Sequence, residues 1–180
     1  KVPELFIVDL PQDESGWKQP GDAPLEGTEA TMPAPPFGIN QRRLTFTHAR
    51  AFPGLVNQPR HWVRSNPKAS EIAFLMRDDV GIVQLWLISP QGGEPRQLTR
   101  CATDIQSAFN WHPSGKWLGF VLDNKIACCD AQTGEVDFLT DRHGNPLSGD
   151  AIIFSPDGRQ VAWMEDVEGF RQLWVTETGR

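Results

Sequence analysis

Short apolar runs separated by polar turn residues recur along this chain, and none has the three-to-four-residue spacing of an amphipathic helix. Ala151-Ile152-Ile153-Phe154 and Val161-Ala162-Trp163-Met164 flank Pro156-Asp157-Gly158-Arg159. In that turn, proline presets one φ, an Asx side chain folds back on the backbone, and glycine accepts positive φ. The same pattern occurs three times: Asn66-Pro67 leads to Ile72-Ala73-Phe74, His112-Pro113 to Leu118-Gly119-Phe120, and Ser155-Pro156 to Val161-Ala162-Trp163. Each copy has a proline, a turn, a branched aliphatic, a small residue and an aromatic at fixed offsets. Gln84-Leu85-Trp86-Leu87-Ile88 returns as Gln172-Leu173-Trp174-Val175-Thr176, with Ile126-Ala127-Cys128-Cys129-Asp130 in the same slot between them. Leu44-Thr45, Leu98-Thr99 and Leu139-Thr140 each close a unit.

Further turns are expected at 78–81 and 165–169, and again at Gln91-Gly92-Gly93 and Gln132-Thr133-Gly134. Four strands per unit, at a period of about 40 to 50 residues, is the signature of a propeller blade. The fold class that follows is all-β, a β-propeller portion of four-stranded antiparallel blades, about three and a half blades of a larger ring. Small residues at 73, 119 and 162 suit closely packed blade faces, and the aromatic beside each fills the gap to a neighbour.

Residues 1–46 then form the end of a preceding blade, with Glu4–Leu10 as its third strand, Gln41–Thr45 as its fourth, and an insertion at 11–39. That insertion, rich in Pro, Gly and acid, is expected to be disordered or a surface flap rather than a binding loop. Residues 47–100 and 101–140 make two blades, and 141–180 a last blade without its outer strand. A ring needs at least four blades, so residues outside this chain are expected to complete it, with a distant segment supplying the missing strand. By itself the chain is expected to self-associate through its open blade faces.

Composition narrows the chemistry. The net charge is −6 with a pI of about 5.2, and the basic residues are scattered, so nucleic acid is not an expected partner. No apolar run approaches the length of a membrane span. Cys101, Cys128 and Cys129 are odd in number, and neighbours on a strand face opposite ways, which argues against a disulfide framework. That usage favours a cytoplasmic location; a periplasmic one stays open, because a leader would lie upstream of Lys1.

The blade pattern resembles the WD40-like (PD40) repeats of TolB and of the propeller domains in dipeptidyl peptidase IV and oligogalacturonate lyase. QRRLTFTHARAFPGLVNQPRHWVR, MRDDVGIVQLWLISPQGGEPRQLT and NWHPSGKWLGFVLDNKIAC look, more specifically, like the C-terminal half of an uncharacterised enterobacterial TolB-like family, the DUF3748 group. The resemblance implies a propeller and no particular chemistry.

Propellers bind ligands over the central channel, where the loops leading into the innermost strands converge. Those loops hold Asn57-Gln58-Pro59-Arg60-His61, Thr103-Asp104-Ile105-Gln106 and Ser148-Gly149-Asp150. Arg60, His61, Asp104, Gln106 and Asp150 are therefore the candidate binding residues. No catalytic residue, metal ligand or cofactor is predicted. Resemblance to oligogalacturonate lyase implies a divalent metal in the full ring, to which His61 could contribute; a rim histidine bonded to its neighbours is the simpler reading. There is no Gly-x-Ser-x-Gly elbow and no phosphate loop. Asp78-Asp79 with Gly81 looks like part of a calcium loop but lacks the later ligands, and reads as a hairpin turn. His112 stands where another copy has Ser and is expected to cap its turn. Trp86, Trp117, Trp163 and Trp174 fall on repeating strand positions and read as packing between blades; Trp17, in the insertion, could anchor a partner. Two functions survive: a non-enzymatic scaffold that binds a protein or ligand at the channel face, and a metal-dependent carbohydrate lyase or hydrolase.

Overall fold

The computed structural model describes residues 2–56 and 62–180. It contains two compact units, Leu5–Leu44 and the remainder, Lys1–Glu4 with Thr45–Arg180.

In the smaller unit, β1 (Phe6–Val8) pairs antiparallel with β2 (Gln41–Arg43). Between them the insertion doubles back on itself. The Phe37 amide donates to the Gln19 carbonyl (2.8 Å) and the Ala34 amide to that of Pro24 (3.2 Å). One helical turn, α1 (Glu14–Trp17), is capped by Asp13, whose Oδ1 accepts from the Gly16 amide at 3.0 Å. Pro20 and Pro36 form an isolated antiparallel bridge within the insertion. Trp17 is half exposed on it.

The larger unit holds three sheets. The first is β3 (Arg64–Ser65), β4 (Ile72–Arg77), β5 (Val83–Ile88) and β6 (Arg96–Gln97), hydrogen-bonded in chain order. The second repeats it with β7 (Asn110–Trp111), β8 (Trp117–Leu122), β9 (Lys125–Asp130) and β10 (Val136–Phe138). The third has β11 (Ile153–Phe154), β12 (Gln160–Val167) and β13 (Phe170–Glu177). Its hairpin is tighter than the sequence suggests. The ladder continues through Glu165↔Gln172 and Asp166↔Arg171, and the turn shrinks to Glu168-Gly169. Both turn residues have positive φ, 51° and 84°, the geometry that suits a two-residue hairpin.

Strand alternation assigns each side chain to one neighbour or the other. Leu75, Leu85 and Leu87 of the first sheet pack with Leu118, Phe120 and Leu122 of the second. Val121, Ile126 and Cys128, on the second sheet's other face, pack with Phe154, Val161 and Trp163 of the third. Ala73 of the first sheet and Gly119 of the second face the sheet that follows, and Phe120 and Trp163 face the sheet that precedes. Gly119 shows why size matters there: a Cβ would meet Ile152 and the Phe154 ring within van der Waals distance. Tryptophan packing is uneven. Trp86 and Trp163 are buried, and Trp117 carries the Arg180 guanidinium 4.0 Å above its ring, but Trp174 stays 45% exposed on β13.

The prolyl turns tie blades together. The Ser114 amide donates to Nδ1 of His112 (3.1 Å), so His112 caps its turn and its Nε2 carries the proton toward the Gly158 carbonyl (3.0 Å) of the next copy. Gly158 has φ +74°, and a side chain there would strike the His112 ring.

Candidate functional site

Antiparallel order places the β4–β5, β8–β9 and β12–β13 hairpins at one end of the blades, together with the segments that lead into β7 and β11. The candidate residues within the description, Asp104, Gln106 and Asp150, lie on those segments. Arg60 and His61 fall outside the described residues.

Asp104 is a tie between blades. Its Oδ1 accepts the Val83 amide (2.8 Å) and its Oδ2 lies 3.7 Å from the Arg77 guanidinium. Beside it, the Thr103 hydroxyl donates to Asp123 (2.6 Å). Gln106 joins the second sheet: its amide donates to the Val121 carbonyl (3.0 Å) and its Oε1 accepts the Asn124 amide (3.1 Å). Asn124 sits at positive φ in the two-residue β8–β9 turn, and its side-chain amide donates to the carbonyls of His143 and Asn145. Asp150 has a nearly buried carboxylate that accepts from the Ser148 hydroxyl (2.9 Å) and Arg171 (3.2 Å). Backbone pairing of Ala108 with the Gly149 carbonyl (2.9 Å) brings the 106–108 and 148–150 segments side by side. Their side chains are each held by local partners rather than by one another.

The Asp78 turn adds to this surface. Burial works against its charge, but the Ile82 amide, the Gln84 side chain and the Val80 amide more than offset that, leaving the carboxyl below its ordinary range. Asp78 thus builds an Asx-type hairpin turn. Two groups escaped the sequence reading. Glu165 is buried and meets Asn145 Nδ2 at 3.1 Å and His143 Nδ1 at 3.4 Å. His143 packs edge-on against Trp163 and also contacts the Thr140 hydroxyl. The available signal was the repeat itself, since Glu165 occupies the strand slot filled by Met76 and Leu122 in the other copies.

Whether these groups suit a divalent cation can be judged from their partners. Among the described residues no three His, Cys, Asp or Glu side chains gather as a ligand set. Asp104 and Asp150 each face an arginine, which a bound cation would have to displace. The described residues do not fit a metal site. Burial pushes the Cys128 thiol up to about 11 and raises Cys129 further, which holds both in the protonated form at neutral pH. A separate cavity of about 440 Å³ opens at the opposite end of the blades, where Arg96 bonds the Ala131 carbonyl (2.9 Å) and approaches Glu71 (3.5 Å). No helix among the described residues is long and apolar enough to cross a membrane.

No family model matches the chain. Over all 180 residues it is 73% identical to the uncharacterised protein YidR of Escherichia coli K12, of whose length it spans 42%. Among solved structures it is similar to a TolB-like protein of Agrobacterium tumefaciens, at TM-score 0.52 and 23% identity over 78% of this chain and 53% of that one. It is also similar to an oligogalacturonate lyase in complex with manganese, at TM-score 0.60 and 19% identity over 77% of this chain and 38% of that one. Blades, turns and these likenesses agree: the chain folds as a stretch of β-propeller, and it is similar throughout its length to YidR.

Proposed function

We propose that this chain belongs to a propeller that works as a non-enzymatic scaffold, binding a protein or ligand over the blade end that carries Asp104, Gln106 and Asp150. The observation that carries this reading is the fixed polar surface there. Carboxylates, guanidinium groups and amides from successive blades are held by one another and by backbone groups, as in the Arg77–Asp104 and Asp150–Arg171 pairs. Preorganised groups of both signs recognise a polar partner without a large ordering cost. On this reading, this end is the channel face of the complete ring.

The test compares two ends of one molecule. Full-length protein should capture a partner that is lost, by tenfold or more in affinity, with Thr103→Arg or Gln106→Arg. Lys68→Glu, at the opposite end, should leave capture unchanged. Equal loss from both ends, or no loss from either, would overturn the assignment. Metal analysis of the same full-length protein addresses the lyase-like alternative. A stoichiometric divalent ion that His61→Ala releases would favour that alternative.

A further inference from the structure

At the blade end away from Asp104, the same corner is built twice and crossed in two different ways. In the third sheet the Thr178 amide donates to the Arg159 carbonyl (2.8 Å). Two residues on, Arg180 reaches back to the second sheet, its guanidinium 4.0 Å above the Trp117 ring and 2.8 Å from Asp137. In the second sheet the Ala131 amide makes the matching bond to the Lys116 carbonyl (2.9 Å). Here the crossing group comes from the first sheet instead. Arg96 holds the place of Asp137, since Ala73↔Leu87↔Arg96 matches Gly119↔Cys128↔Asp137. Its Nη2 donates to the Ala131 carbonyl (2.9 Å), and beside it lies the cavity of about 440 Å³, lined also by Glu71, Lys116 and Asp130.

Two basic and two acidic groups therefore meet in one cleft between two complete blades, and their mutual bonds leave much of their capacity unused. Arg96 Nη2 approaches Glu71 Oε1 (3.5 Å) and Nη1 donates to the Gln132 carbonyl (3.4 Å), which leaves Nε and one Nη1 hydrogen. Asp130 uses Oδ1 for the Gln132 and Thr133 amides (2.8 Å each) and keeps Oδ2. The exposed Lys116 ammonium bonds no carboxylate among the described residues. An anion placed here would face two carboxylates, and a cation two basic groups. A ligand with one charge of each sign, set apart along a short chain, meets both pairs. The volume lies in the lower part of the range for small-molecule sites, roughly 300–1,000 Å³, which suits two or three residues of peptide.

We infer that this cavity is a binding site for a short free peptide. Its terminal carboxylate bonds Arg96 and Lys116, and its terminal ammonium bonds Asp130 and Glu71. Charged hydrogen bonds at both ends supply the recognition, and side chains of the peptide point to the open mouth of the cleft.

The dipeptide Ala-Ala is titrated into the full-length protein by calorimetry, beside its N-acetylated and C-amidated forms. Saturable one-to-one binding of Ala-Ala at millimolar concentration or below is expected, weakened about tenfold by either blocking group. Arg96→Gln and Asp130→Asn should each weaken it about tenfold. Arg96 also bonds the neighbouring blade, so Lys116→Gln, which removes no bond within the protein, tests the same site with the fold intact and should give a similar loss. Lys68→Gln, at the same end but outside the cavity, and Gln106→Arg, at the other end, should leave binding unchanged. Absence of saturable binding, equal binding of the blocked forms, or indifference to both Arg96 and Lys116 would overturn the inference.

Discussion

Asp78 condenses the logic of the site into one residue. Its carboxylate accepts two backbone amides and the Gln84 amide, and Gln84 in turn accepts from Thr99 and Cys101. Asp78→Asn keeps one acceptor but points an amide donor at Gln84 Nε2. A charged hydrogen bond of this kind contributes about 1–2 kcal/mol. The folded-state pKa is depressed, so the contribution is present above the unfolded carboxylate's pKa and is lost as pH falls through the folded one. Urea midpoints should therefore place the variant below wild type at pH 7 and close the gap as pH falls through the lowered pKa of the folded carboxyl. A gap that stays constant with pH would show that the carboxylate's charge is not what holds the turn. Partnerships like these also mark the limit of sequence reading at this scale. Turn residues announce themselves locally, whereas the Arg77–Asp104 and His143–Glu165 pairs span long loops and become visible only once register is known.

At the scale of the element, the Leu-Thr pairs explain why outer strands as short as β6 and β10 stay attached. The Leu98 and Leu139 amides bond the Leu85 and Ile126 carbonyls, and the Thr99 and Thr140 hydroxyls accept the amides of the same two residues. Two or three ladder pairs are few, and the Leu-Thr amide and hydroxyl extend the pairing beyond them. Thr99→Val keeps the shape of the side chain and removes the hydroxyl. The Leu85 amide and Gln84 Oε1, both buried, then lose a partner, at a cost of about 2 kcal/mol. Denaturant titration should show that loss. A change under about 0.5 kcal/mol would mean that the ladder alone secures β6. Sequence captured much of this level, because the prolyl turns, the Gln-Leu-Trp strands and the Leu-Thr pairs repeat at fixed offsets. It misjudged the third hairpin, where Glu165 and Asp166 read as turn residues. Cross-strand pairing with Gln172 and Arg171 outweighs their weak strand preference. It also treated Trp174 as buried packing, since the repeat shows a residue's slot and not whether a neighbour covers it.

For the whole molecule, the blades of the larger unit differ in what finishes them. Two sheets have four strands, and the second is packed between the first and the third, while the third ends in β13 with Leu173 and Val175 exposed. The candidate surface is built across successive blades, so its geometry depends on the stacking that Gly119 and the His112–Gly158 bond secure. Amide hydrogen exchange of the chain, at a concentration where it is monomeric, tests this account most directly. The Leu85 and Ile126 amides, closed by Thr99 and Thr140, should be strongly protected, and so should the Trp174 amide, which faces β12. Leu173, in the same slot as Leu85 and Ile126, should exchange at nearly the rate of an unstructured peptide. Protection of Leu173 equal to that of Leu85 would contradict an open outer edge on the third sheet.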